Sequence, residues 1–385
     1  MISTETLESA VATGVISADQ RDRLYAIERG PEPAETDEGT EENLRLIGGG
    51  NDLFVTVGIV LLTAGFYFVL NTTITGQPIL IAGLLAAFSW IVAEFVTRQR
   101  RMKLSSTVLS LAFTVAAVVG LSLLANASYA IRRPDSLWQL LALRQMVAPA
   151  GYIVFGGTIA ATILYFWRFR VPVLAGVIAI AATLLAFLQT ALLLYDGVAA
   201  GAVAAPQIED MPELLRAALY MPLVCGLIVF GAAVLLDLHD RERRTIWSDC
   251  AFWLHVVSAP MLVHPLFIMA TGQDVVLGNI EPDGNASIML GVLILGFVYV
   301  ALAIDRRSLL VPTLAYFGSL GIYYLINSTA NTTGIPPFAL ILVVVGTLII
   351  IFGAGWQHIR NLIVRPTLPT SLLNKLPPIK VQAYK

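Results

Sequence analysis

The sequence predicts an all-α membrane protein of about ten transmembrane helices, packed as a bundle of helical hairpins behind a small cytosolic N-terminal helical segment. Three features carry this. Of the 385 residues, 57% are hydrophobic and only 13% charged, with a mean hydropathy of +0.77, against the roughly 25% charge of a soluble domain. Apolar runs near the ~20 residues that a bilayer core requires recur from Asp52 onward, each bounded by turn residues or charge. Basic residues gather in alternate connections between those runs. Because the runs are continuous rather than alternating, closed barrels are excluded, and helices are the structure that satisfies the backbone inside lipid.

Residues 1–30 read as two short cytosolic helices broken at Gly14, with Leu7, Val11, Leu24 and Ile27 forming a small apolar face. Ser17 followed by Gln20 has the spacing of a capping box, in which each side chain satisfies a backbone N–H at the helix start. Residues 31–51 include "PEPAETDEGTEE", whose prolines and acids cannot bury enough apolar surface to offset ordering, so a flexible acidic linker is expected. The net charge of −2 hides this segment: residues 1–52 hold twelve acidic residues against four arginines. The chain opens on a polar stretch rather than a basic region followed by a short apolar run, so no cleavable signal is expected and the first spanning helix is left to target the protein. The glycines at 48–50 read as a hinge.

The transmembrane domain is expected over 52–355. Its ten runs begin near Leu53, Pro78, Leu104, Val147, Val171, Ala217, Trp247, Ala286, Ser308 and Ile335. Gly83 and Ala87, four apart, suggest close helix approach. Between runs, "RRPDSLWQLLALRQM" suits a helix lying at an interface, and "EDMPELLRAAL" starts as a helix does, with Asp210, Pro212 and Glu213. Residues 356–385 are expected to form a cytosolic tail, first an amphipathic surface stretch with Trp356, Ile359, Leu362 and Ile363 against His358, Arg360 and Arg365, then proline-rich and extended.

Orientation follows from the basic residues, which are retained on the cytoplasmic side. With the N-terminus inside, 20 of the 24 Lys and Arg fall on inner segments, and only Arg132, Arg133, Arg144 and Arg216 fall outside. Both termini are therefore expected in the cytoplasm of a multi-pass inner-membrane protein. The inner basic clusters recur at Arg101, Arg170, Arg244 and Arg307, spacings of 69, 74 and 63 residues, and "VPVLAG" after Arg170 returns as "VPTLAYFG" after Arg307. Two readings stand: basic residues with an N-terminal proline are good inner-turn chemistry, or the hairpins are a parallel repeat. The second would count against the inverted repeats of many ten-helix carriers.

Ionisable groups inside spans are candidates for function. Glu94 lies one turn from Arg98, as an interfacial ion pair or as a site. His255 stands eight residues beyond Trp247, about 12 Å along the helix, and Pro260 removes a backbone donor nearby, which tends to kink a helix and free a carbonyl. His255, Pro260 and Glu94 are thus the candidate ligand or proton site, against the reading of His255 as a hydrogen bond to a neighbouring helix. His264 lies nine residues further on, about half a turn away in azimuth, so the two histidines cannot share a metal. No His-Glu-x-x-His, phosphate loop, Gly-x-Ser-x-Gly or Cys-x-x-Cys occurs, and Cys225 and Cys250 read as core residues. No enzyme, cofactor, metal site or nucleic-acid partner is expected.

"ATGVISADQRDRLYAI" ahead of "GGGNDLFVTVGIVLLTAGF", with the tail "GWQHIRNLIVRPTLPTSLLNKLPP", resembles a family of bacterial inner-membrane proteins defined only as a domain of unknown function. The resemblance implies a short cytosolic helical segment, a linker and many spanning helices, and brings no functional residue with it. The function expected is a non-enzymatic membrane anchor or sensor that rests in the lipid bilayer and meets a cytosolic protein through residues 1–51 or the tail. The alternative is a transporter or lipid-handling protein with an intramembrane site around His255.

Overall fold

The structure is a computed structural model, and it describes residues 11–17, 20–21, 50–129, 144–204, 210–241, 243–271, 284–310, 337–373 and 376–377. The chain divides into two compact units, Met1–Asn43 and Leu44–Lys385. In the first, the helix carrying Val11 ends in a turn at Gly14, whose φ of +72° suits a residue without a Cβ. The capping box forms as the sequence predicts: the Ser17 N–H donates to Gln20 Oε1 at 2.8 Å and the Gln20 N–H to Ser17 Oγ at 3.2 Å.

Among its described residues the second unit consists of helices joined by turns. In chain order its helices are α1 (Gly50–Thr73), α2 (Pro78–Gln99), α3 (Lys103–Tyr129), α4 (Arg144–Gly151, continued through Tyr152–Gly156 and Gly157–Phe169) and α5 (Val173–Ala199). There follow a short α6 (Met211–Ala218), then α7 (Tyr220–His239), α8 (Ile246–Thr271), α9 (Gly284–Ile304), α10 (Pro337–Thr367) and a final turn, α11 (Thr370–Leu373). Eight helices among the described residues are long and apolar enough to cross a membrane: α1–α5, α7, α8 and α10. The fold is an all-α membrane protein. The helix expected from Ser308 lies, beyond Leu310, outside the described residues, as do most of the interfacial stretch at 132–146 and the linker.

Burial runs opposite to that of a soluble protein. Large apolar side chains such as Phe54, Phe68, Ile228, Leu235 and Ile350 are exposed, while Asp52, Asp237, Asp305, Arg306 and Arg360 are buried. Lipid tails solvate the former, and the latter need one another. One core gathers α1–α5 around Leu109, Phe113, Tyr165 and Phe169, with Trp90 meeting the last three at ring separations of 5.0–5.7 Å. A second gathers α8–α10 around Ala259, Leu302, Leu309, Trp356 and Val364. α8 is the hub: 44% of its span is buried inside the bundle, against 17% for α5 and α7.

Two local devices fix the ends. Asp52 of α1 caps α3 from outside, its carboxylate accepting the N–H of Leu104 at 2.9 Å and of Ser105 at 3.0 Å, where the helix dipole favours negative charge. The basic turns share one backbone feature. Among the described residues, the non-glycine positions with positive φ are Arg101, Arg170, Arg243 and Asp305, at 52–58°, one in each turn joining α2 to α3, α4 to α5, α7 to α8 and α9 to the segment after it. Left-handed residues end helices by satisfying their last carbonyls, as the 2.9 Å bond from the Arg306 N–H to the Ala301 carbonyl does here. The turns whose arginines recur in the sequence thus also share a left-handed residue.

The close approach expected at Gly83 and Ala87 is corrected. Both are exposed, and a Cβ on Gly83 would meet nothing within 4 Å. Helices approach instead at Gly120, where a Cβ would lie 3.2 Å from that of Ala82, and at Gly226, where it would lie 2.9 Å from Met261 Cβ.

Candidate functional site

The site grows from the hairpin of α7 and α8. Asp240 ends α7 and holds the turn: its carboxylate accepts the Arg244 N–H at 3.1 Å, the Thr245 N–H at 2.8 Å and the Thr245 hydroxyl at 2.6 Å. Burial pushes its pKa up, but these donors outweigh burial and hold the carboxyl below its ordinary value. A depressed folded pKa gives stability that is present above the unfolded value near pH ~3.9 and lost as pH falls through the folded value. Asp240→Ala is therefore expected to cost about 1 kcal/mol of cap energy at neutral pH. It should also remove part of the acid-induced drop in melting temperature, which a pH series of melts in detergent would read.

With that turn fixed, Asp237, near the C-terminal end of α7, faces His255 of α8. Asp237 Oδ2 and His255 Nε2 are 2.9 Å apart. α9 ends at Ile304, and Asp305 reverses the chain in the left-handed region, which aspartate tolerates better than most residues. That reversal turns Arg306 inward, where its Nε donates to Asp237 Oδ2 at 3.0 Å, its Nη2 donates to Oδ1, and the same Nη2 reaches the Ser248 carbonyl at 3.2 Å. Asp305 itself sits between two more guanidinium groups, Arg243 Nη1 at 3.4 Å and Arg360 Nη1 at 3.7 Å, and accepts the Trp356 indole N–H at 2.6 Å.

The arrangement continues to the chain's end. Arg360 of α10 donates to the Leu302 carbonyl at 2.9 Å and to the Pro377 carbonyl at 2.8 Å, and Arg241 donates to the Leu376 carbonyl at 3.0 Å. The tail is thus held by arginines that belong to the ion-pair cluster or flank it. Arg306 is 2% and Arg360 0% exposed, so these charges are held by the buried carboxylates and by backbone carbonyls.

His255 has a further property. Asp237, already bonded to Arg306, can only accept, so the neutral ring donates from Nε2. Its Nδ1 is then a buried acceptor with no hydrogen-bond partner. Such an atom calls for an explanation, and the chemistry open to it is to take a proton.

The sequence candidates separate. His255 stands in this cluster. Pro260 lies on the same helix, α8, and is exposed. Glu94 belongs elsewhere, paired with Arg98 at 3.4 Å and with Arg168 at 2.7 Å, a half-buried ion pair at the end of α2. The reading of residues 356–365 as a surface stretch is corrected at Arg360: α10 continues through it, Trp356 and Arg360 are buried, and Leu362 is exposed. Sequence reasoning missed Asp237, Asp305, Arg243, Arg306 and Arg360 as site residues. Asp237 alone left a signal, a carboxylate inside the apolar run "VCGLIVFGAAVLLDL". Among the described residues no group of three His, Cys, Asp or Glu side chains could hold a metal ion.

Comparison with family models, with curated proteins and with solved structures finds no match.

Proposed function

We propose that the protein is a non-enzymatic sensor of a bacterial inner membrane, with both termini cytoplasmic, in which protonation of His255 is passed to the C-terminal tail. The observation that carries this is the continuous path from His255 through Asp237 and Arg306 to the neighbouring Asp305, and from there through Arg360 to the Pro377 carbonyl. A proton on Nδ1 adds a cation to a buried group in which three arginines already share two carboxylates. Relief requires a rearrangement or entry of water. The groups facing the imidazole are Asp237 of α7, Arg306 of the turn after α9, the nearby Arg243 and the ring of Phe230 at 5.3 Å. A cytosolic partner would read the change on the tail, with residues 1–51 as a second contact. A carrier site around His255 is the weaker reading, because the residue is sealed from solvent.

Hydrogen exchange at the amides of Leu368, Leu372, Leu373 and Leu376, all bonded within the tail, tests the proposal. Corrected for intrinsic rates, protection should fall as the pH is lowered far enough to protonate His255, and should stay flat in His255→Gln. A tail whose protection ignores pH in the wild type, or responds equally in both proteins, contradicts it.

A further inference from the structure

A second place in the molecule is built to receive something. Where the ends of α2 and α4 meet the starts of α3 and α8, a cavity of about 500 Å³ opens. Its cations are Arg98, Arg101, Lys103, Arg168 and Arg170, and its carboxylate is Asp249. Glu94 neutralises Arg98 and Arg168 in part. Arg101, Lys103 and Arg170 have no carboxylate within ion-pair distance among the described residues. Two of them, Arg101 and Arg170, are the left-handed residues of their turns, at φ of 53° and 52°. All three are exposed at the cavity, and cations without a carboxylate partner there are free to take a charge-assisted bond from a bound anion.

An independent observation points the same way. Thr97 lines this cavity, is 8% exposed, and its hydroxyl is buried without a hydrogen-bond partner. It sits in the π-helical turn Glu94–Gln99 that ends α2, a widened turn of the kind that re-aims side chains at functional sites. The hydroxyls of Ser106 and Thr107 are already spent on their own helix, donating to Met102 and Lys103 carbonyls. Donors left for a ligand are therefore cationic, plus the Thr97 hydroxyl. The remaining walls, among them Phe169, Pro172 and Trp253, are apolar.

We infer that this cavity binds a phosphate-bearing anion, the phosphate taken by Arg101, Arg170, Lys103 and the Thr97 hydroxyl, and any apolar or glycerol portion lying against Phe169 and Trp253. Basic pockets between spanning helices suit anionic lipid headgroups, and a soluble phosphorylated ligand presents the same chemistry. The site stands independently of the sensor reading, since none of its lining residues belongs to the ion-pair cluster.

Binding is measured on the full chain by native mass spectrometry from phosphatidylcholine nanodiscs with and without phosphatidylglycerol, and in detergent by calorimetry with inorganic phosphate. Retention of phosphatidylglycerol over phosphatidylcholine, undisturbed by inorganic phosphate, assigns the site to lipid. Saturable phosphate binding without lipid assigns it to a soluble ligand. Arg101→Gln with Arg170→Gln should weaken either by about tenfold or more. Thr97→Val, which removes an unsatisfied hydroxyl and so should not lower the melting temperature, should weaken it as well. Equal retention of both lipids together with no phosphate binding in the wild type overturns the inference, as does undiminished binding in the well-folded Thr97→Val and double-arginine proteins.

Discussion

Arg306→Ala is expected to lower the stability of the protein by about 3–5 kcal/mol, the range for removing one partner of a buried ion pair. The reason is what remains. Asp237 is 5% exposed and takes both its Nε and Nη2 bonds from Arg306. Truncation leaves a carboxylate with His255 as its neighbour and no water to solvate it, and it also abandons the Ser248 carbonyl. The pair of changes Asp237→Leu with Arg306→Leu should recover most of the loss, because two desolvated charges then disappear together. Arg98→Ala serves as the contrast. That side chain is 59% exposed and shares Glu94 with Arg168, so its removal should cost under about 1 kcal/mol. Thermal unfolding in detergent, followed by aggregation-sensitive chromatography, reads all three. Comparable losses for Arg306→Ala and Arg98→Ala would mean that the Arg306 site is wetter than its geometry indicates.

Asp305→Asn should cost about 3 kcal/mol and release the tail. This substitution isolates charge from shape. Asparagine occupies the left-handed region at least as readily as aspartate, so the reversal of the chain at φ of 58° is kept. Its amide oxygen can still accept the Trp356 indole N–H. What it cannot do is compensate Arg243 and Arg360, at 5% and 0% exposure, the two guanidinium groups that flank Asp305. Arg360 holds the Pro377 carbonyl, so faster proteolysis or exchange beyond Thr367 should accompany the loss of stability. A variant that melts lower but keeps its tail protected would separate the ion pair from tail docking.

The particular residues show what a sequence can disclose. The capping box at Ser17 and Gln20, the eight long apolar helices among the described residues and the turns at Arg101 and Arg170 depend on neighbours in the chain, and these were legible. The partners of His255 were not. Asp237 lies 18 residues before it and Arg306 lies 51 after it, and only the packing of α7, α8 and the end of α9 unites them. The positive-inside pattern hides the difference further, because it treats every arginine in a connection alike, whereas Arg101 lines a cavity and Arg306 is buried. Amphipathicity misleads at Arg360 for a related reason. In lipid the apolar face of a helix points outward, so Leu362 is exposed while Trp356 and Arg360 meet Asp305 inside. Gly83 failed as a contact because spacing marks that a helix could approach, and Ala82 with Gly120 shows where it does.

If His255 and the tail-holding arginines respond as one unit, the indole N–H of Trp356, bonded to Asp305, is the reporter best placed to reveal it. The measurement is a pH titration by NMR of the full chain with labelled histidine and tryptophan, following the His255 ring nitrogens and the Trp356 indole proton together. His255 is expected to be neutral with its proton on Nε2 at high pH, Trp356 to shift with the same midpoint, and His255→Gln to abolish the Trp356 titration. A Trp356 resonance that stays fixed while His255 titrates, or that still titrates in His255→Gln, would contradict their acting as one unit.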